Sequence, residues 1–285
     1  MGYGRWDMEE FARYSTNAGK TYDRDTNRVT GQTYHARHLD PSLDPKGVIR
    51  ECANNTEHPN TIPVILALDV TGSMGEACRE TAEALGTIMT NLYNKYTDIE
   101  FMVMGIGDLA YDNAPIQASQ FESDIRIAEA LDKIYMEHGG GGNGYESYTA
   151  AWYFGLHHTK LDAFNDQGRK GIIITMGDEL LNPYLPVREL NAVTGDTNQA
   201  DIETNALYKK ACEKFDIYHI AVNDRKDCFD DYKDRIEATF GKLLGNNYKE
   251  ATINGLSATI CECIADSIEK NPQEPKNDNN FGISW

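Results

Sequence analysis

The run Ile62-Pro63-Val64-Ile65-Leu66-Ala67-Leu68 carries no polar side chain and stops at Asp69. A strand with one wet face alternates apolar and polar residues, so this run reads as a central strand covered on both faces. Helices must supply the cover, and the sequence after Thr61 alternates strand and helix patterns. Apolar residues at Cys78, Ala82, Leu85, Met89 and Leu92 predict an amphipathic helix from about Gly75 to Tyr96. Ile99 to Ile106 reads as a second strand and Ile116 to Phe121 as a short edge strand. Ile125 to Met136 is helical until the glycine stretch 139–142, and a further helix runs from about Ser147 to His158. Strands at Gly171 to Met176, 217–222 and 248–253 alternate with helices at about 200–214, 230–239 and 256–270. The economical solution is a doubly wound, mostly parallel α/β sheet with helices on both faces, Rossmann-like in its winding.

Three segments follow from the composition: 1–60, 61–270 and a tail at 271–285 with two prolines and four asparagines. The first is rich in Tyr, Arg, Asp, Asn and Thr, poor in Leu, Ile and Val, and shows no sustained period. It reads as an extended arm. Its aromatics Tyr3, Trp6, Phe11, Tyr14, Tyr22 and Tyr34 are anchors for laying it on this chain's own domain or on a neighbouring subunit, the alternative being a flexible leader.

The 285 residues hold 27 basic and 45 acidic side chains, a formal charge of −18. Residues 1–60 account for only −1 of it, so the acidity belongs to the α/β region. Such a chain repels phosphate backbones, which argues against nucleic acid and leaves cations and proteins as partners. The six cysteines show no CxxC or Cys/His ligand spacing, and Cys261 and Cys263 fall on different faces of a helix, which fits reduced thiols. No apolar stretch approaches the ~20 residues of a membrane span and no signal-peptide pattern opens the chain, so the expected location is cytoplasmic or a viral particle. Trp6 stands where a myristoylation motif needs Ser or Thr, and Asn54-Asn55-Thr56 reads as a polar loop rather than a glycosylation site.

Ligands of doubly wound sheets sit beyond the carboxyl ends of the strands. There the first strand offers Asp69-Val70-Thr71-Gly72-Ser73, one carboxylate and two hydroxyls at alternate positions, and the 171–176 strand leads to Asp178. Hydroxyls with one or two carboxylates and room for water suit Mg²⁺. Taken singly, a strand-end Asp is common and a Ser or Thr before a helix is usually an N-cap. Their pairing, with a glycine-rich loop between them, is what points to a metal site.

Here the sequence resembles the von Willebrand factor type A family, whose metal-ion-dependent adhesion site carries D-x-S/T-x-S, a Thr or Asp in a glycine-rich loop, and an Asp after a later strand. Asp69, Thr71 and Ser73 match the first element and Asp178 the third, and the resemblance covers about residues 61–270. In the middle element, Gly139 to Ser147 is similar to the variant G-G-G-D-x-P-E-S, with Asn143 at the Asp position. Glu146 is either a compensating ligand or a first-turn acid of the following helix. The resemblance implies Mg²⁺, with Mn²⁺ or Ca²⁺ as alternatives, and metal-dependent docking of a partner protein's Asp or Glu without catalysis. The stretch 179–200 would form the rim or pack as an insertion.

Two other classes remain. Stand-alone prokaryotic or viral members of the family often act beside MoxR-type ATPases, and the arm suits self-assembly into a larger particle. A Mg²⁺-dependent phosphohydrolase is weaker: the haloacid dehalogenase type needs a second Asp where Thr71 stands, and neither G-x-x-x-x-G-K-[ST] nor G-x-S-x-G occurs. His157-His158 lacks a carboxylate–His metal pattern within its helix and is expected to pack and face solvent.

Overall fold

The computed structural model describes residues 4–137, 143–223 and 229–271. Tyr3, the glycine stretch 139–142 and all of the expected tail beyond Asn271 lie outside the described residues. The centre is a six-stranded sheet of β1 (Ile62–Asp69), β2 (Ile99–Ile106), β3 (Ile116–Ala118), β4 (Gly171–Gly177), β5 (Phe215–Val222) and β6 (Tyr248–Ala251). Its spatial order is β6-β5-β4-β1-β2-β3, parallel throughout except for the antiparallel edge strand β3. From β1 the chain builds outward to β2 and β3, then returns to β1's other side as β4. The strand order therefore reverses between β1 and β4, and their carboxyl ends flank the crevice.

Every residue of β1, β2 and β4 is buried, as uninterrupted apolar runs require. Alternate residues of β1 serve the two faces. Val64, Leu66 and Leu68 pack with Leu85 and Ile88 of α3 (Leu85–Tyr93) and with Leu256 and Ile260 of the C-terminal helix Leu256–Lys270. Ile65 and Ala67 pack with Trp152 and Phe154 of the helix Thr149–His157 and with Leu207 and Ala211 of the helix Thr204–Lys214. Burying one such aliphatic side chain stabilises by roughly 1.5–3 kcal/mol, so both faces are needed to hold the sheet.

The segment before β1 lies on the same chain's domain and is more structured than its composition suggests. Helix α1 (Met8–Asn17) starts at Asp7, whose side chain accepts from the backbone N–H of Glu10 at 2.8 Å. A hairpin pairs Thr21–Asp23 with Arg28–Thr30. Phe11 is buried between Trp6 and Tyr22, with ring centroids 5.0 and 5.9 Å away. Lys20 pairs with Asp132 at 2.5 Å, Arg28 forms a two-pronged pair with Glu80 at 2.6 and 2.7 Å, and Tyr34 donates to the Cys78 carbonyl. These aromatics are anchors, and the surface they hold is intramolecular.

Elsewhere the elements are shorter than the periodicity predicts. The helix expected over 75–96 is two helices, α2 (Gly75–Glu83) and α3, broken at Ala84, which serves as C-cap of one and N-cap of the other. The 179–200 stretch packs down: Leu180–Leu181 pairs with Tyr145–Glu146, Tyr184–Leu185 pairs with Ile202–Glu203, and a helix spans Val187–Thr194. Of the His157-His158 pair, His157 faces solvent and His158 packs inside, with Nε2 2.7 Å from Asp196 Oδ2 and Nδ1 2.9 Å from the Val48 carbonyl. Cys263 is buried and Cys261 half-buried on the C-terminal helix, both free thiols. Among the described residues no helix is long and apolar enough to cross a membrane.

Candidate metal site at the strand switch

Asp69 ends β1 with no solvent exposure. Its Oδ1 accepts from the Thr71 backbone N–H at 3.0 Å and the Thr71 hydroxyl at 2.6 Å, and its Oδ2 accepts from the Tyr148 hydroxyl at 2.7 Å. Thr71 Oγ1 lies 3.5 Å from Ser73 Oγ, which donates to Asp178 Oδ1 at 2.9 Å. Asp178 is itself buried just past β4. The strand reversal thus brings Asp69, Thr71, Ser73 and Asp178 into one hydrogen-bonded chain. Each hydroxyl gives its proton to a carboxylate, which leaves its oxygen lone pairs for another Lewis acid.

Burial and the neighbouring Asp178 charge raise the Asp69 carboxyl above the usual carboxylate range, against the three donors that lower it. Glu146 is 4% exposed, and its Oε2 has no hydrogen-bond partner among the described residues. Burial first, then the charges of Asp69, Asp112, Asp108 and Glu179, push its carboxyl far upward. It lies on the short strand Tyr145–Glu146, ahead of the helix that starts at Thr149. A buried acid with an orphaned oxygen beside other acids is what a cation would relieve.

Asn143 is not brought into this chain. It is exposed, its Nδ2 donates to Asp108 Oδ2 at 2.7 Å, and its Oδ1 accepts from the Tyr145 backbone N–H at 3.1 Å. Sequence reasoning missed Asp108, Tyr148, Glu179 and Gly177. Asp108 was accessible by the rule that selected Asp69, since it follows β2 with one residue between. Tyr148 carries no sequence signal: its hydroxyl also accepts from the Glu179 backbone N–H at 3.2 Å, tying the ends of β1 and β4 together. Among the described residues no three His, Cys, Asp or Glu side chains form a metal cluster. The donor set fits a hard divalent cation through its chemistry instead: it is oxygen-only and includes two buried acids and two hydroxyls.

No protein-family model matches the sequence, and no curated protein matches it. Solved structures do. The pilus adhesin SpaC of Lactobacillus rhamnosus GG in its open conformation aligns at a TM-score of 0.50 and 13% identity, over 88% of this chain and 35% of the adhesin. The vWF domain of the type V pili tip protein Mfa5 from Porphyromonas gingivalis aligns at 0.44 and 12% identity, over 76% of this chain and 97% of that domain. A form of the minor pilin PilB from Streptococcus sanguinis aligns at 0.48 and 11% identity, over 75% and 64%. The chain thus spans about a third of the SpaC adhesin's length, and what it shares with that protein is the fold, a mostly parallel α/β sheet with helices on both faces.

Proposed function

We propose that this chain is a protein-interaction module whose Asp69, Thr71, Ser73 and Asp178 hold a Mg²⁺ that receives an acidic side chain of a partner protein. The observation that carries this is the hydrogen-bonded chain of two buried acids and two hydroxyls at the point where the strand order reverses. Asp69 and Asp178 supply the charge, and Thr71 and Ser73 supply neutral oxygens. Tyr148 holds Asp69 in place. A bound Mg²⁺ would offer a coordination position that a partner's carboxylate can fill in place of water. Ser73, half-buried beside three buried ligands, marks the side from which the partner approaches. That the aligned proteins include a pilus adhesin and a pilus tip domain supports an interaction or assembly role.

The test is thermal unfolding of the full chain with millimolar Mg²⁺ against EDTA. At about 100 times Kd the cation contributes about 2.7 kcal/mol. That corresponds to a rise of roughly 5 to 10 °C in Tm. Asp178→Ala should abolish the rise. A wild-type Tm unchanged by Mg²⁺, Mn²⁺ and Ca²⁺ would sink the proposal.

A further inference from the structure

The dipeptide Asn-Gly occurs twice in the chain, at Asn143-Gly144 and at Asn254-Gly255. It has a chemistry of its own: with no Cβ on the second residue, that residue's backbone nitrogen can approach the asparagine Cγ. The two copies are held differently. Asn143 is exposed in a turn, Gly144 follows at φ +68°, and the Gly144 N–H makes no hydrogen bond among the described residues. Asn254 is exposed too, but it lies in the helical turn Ile253–Gly255, where the Gly255 N–H donates to the Thr252 carbonyl at 2.9 Å.

The Asn143 side chain is also oriented for reaction. Its Oδ1 accepts from the Tyr145 backbone N–H at 3.1 Å, which draws electrons from Cγ and would steady an oxyanion formed there. Its Nδ2 donates to Asp108 Oδ2 at 2.7 Å, which fixes the plane of the amide. Neither contact blocks the side from which the Gly144 nitrogen comes, because both are made by the amide's outer atoms.

We propose that Asn143 is a site of spontaneous deamidation, and that the change uncouples the 143–146 segment from Asp108 and from the chain after Asp178. The Gly144 nitrogen bonds to Asn143 Cγ and loses its proton to solvent; the Cγ–Nδ2 bond breaks, and the departing nitrogen takes a proton from solvent to leave as ammonia. Water then opens the five-membered succinimide at either carbonyl, giving aspartate or isoaspartate. Both products lack the donor that Asp108 now accepts, and in aspartate a carboxylate takes its place, so attraction turns to repulsion. In isoaspartate the main chain runs through the β-carbon and is one methylene longer just ahead of Gly144, whose carbonyl accepts from the Leu180 N–H at 3.3 Å. The pairing of Tyr145 with Leu180 and of Glu146 with Leu181 begins there, and Leu180 follows Asp178 by two residues. The reaction runs one way, so it records the age of the molecule, and it does not depend on whether a cation binds at Asp69 and Asp178.

The experiment keeps the full chain warm at mildly alkaline pH, folded and in urea, and follows both dipeptides by proteolysis and mass spectrometry. Each deamidation adds about 1 Da, and isoaspartate is counted with an isoaspartyl methyltransferase. In urea the two sites should react alike. Folding should slow Asn254 about tenfold, the cost of opening one backbone hydrogen bond, and leave Asn143 within about twofold of its rate in urea. Amide hydrogen exchange at Leu180 and Leu181 should quicken as wild type ages, be fast from the start in Asn143→Asp, and stay constant through ageing in Asn143→Gln, whose longer side chain closes a ring far more slowly. Equal protection of Asn143 and Asn254 by folding overturns the site. Deamidation at Asn143 with unchanged exchange at Leu180 and Leu181 overturns the uncoupling, as does exchange that quickens equally in aged Asn143→Gln.

Discussion

Tyr148 and Gly177 decide how the candidate site is held. A Cβ on Gly177 would collide with the Tyr148 hydroxyl and ring, so glycine at the end of β4 is what lets that hydroxyl reach Asp69. Gly177→Ala should cost about 1–3 kcal/mol in urea denaturation by overpacking. It should also shrink the Mg²⁺-induced rise in Tm. Tyr148→Phe keeps the ring, removes the bond, and should lose about 1–3 kcal/mol by leaving Asp69 Oδ2 short of a donor. Unchanged stability in both would mean that Tyr148 merely fills space. Behind it, His219 is fully buried, shares a hydrogen bond with Thr175 Oγ1 at 2.9 Å and stacks on Phe240, and burial pushes it down to about 3. Below its unfolded value near 6.5 the unfolded chain takes a proton that the folded chain refuses, so this residue removes stability as pH falls from 6.5 toward 3. The slope is about 1.4 kcal/mol per pH unit. Between pH 6 and pH 4 wild type should lose about 2.5 kcal/mol relative to His219→Phe, in which Thr175 keeps its bond to the Tyr218 carbonyl. The raised carboxyls of Asp69 and Glu146 act in the opposite sense and cancel in the difference. Asp69, Thr71, Ser73 and Asp178 were legible because strand ends and alternate positions are local features of sequence. Tyr148 and Gly177 were not, because what couples them is contact across elements.

At the scale of elements, the strands could be read because a strand buried on both faces needs nothing but apolar residues over a short length. The break at Ala84 could not, since no Gly, Pro or capping residue stands at the break itself and Gly86 lies within the helix that follows it. The paired dipeptides at 180–185 and 202–203 are shorter than any periodicity. Helix α1 did carry a start signal, Asp7 followed three residues later by Glu10, but its buried face reduces to Phe11, Ala12 and Ser15 in a polar background. That face is what fastens the N-terminal segment: the Phe11 ring and the Asn27 carbonyl sit against Gly86 of α3, where a Cβ would strike both. Phe11→Ala should cost about 3–5 kcal/mol. Gly86→Ala should instead lift the hairpin, and limited proteolysis should then cut within residues 20–35 while α3 and the sheet stay protected. If the cleavage pattern of Gly86→Ala matches wild type, the close approach does not fasten the segment.

On the scale of the whole molecule, the charge of −18 sets the approach of an acidic partner against the contacts that would hold it. The field of the surface acts over a Debye length, about 10 Å at 0.1 M salt and about 30 Å at 0.01 M. A divalent ion held between the buried acids would act only at contact, because Asp69 and Asp178 would offset its two charges. On the metal-docking proposal, an acidic peptide that binds the Mg²⁺-loaded chain would be repelled at a distance and held once seated. Its association rate should rise as NaCl increases from about 0.02 to 0.3 M at constant Mg²⁺, since screening removes the repulsion first. Dissociation should change less, because close partly buried contacts are screened weakly. Stopped-flow fluorescence separates the two rates. An association rate that falls with salt would mean that the metal projects attraction beyond the acidic surface, and the picture of a local attractive spot on a repulsive molecule would have to be given up.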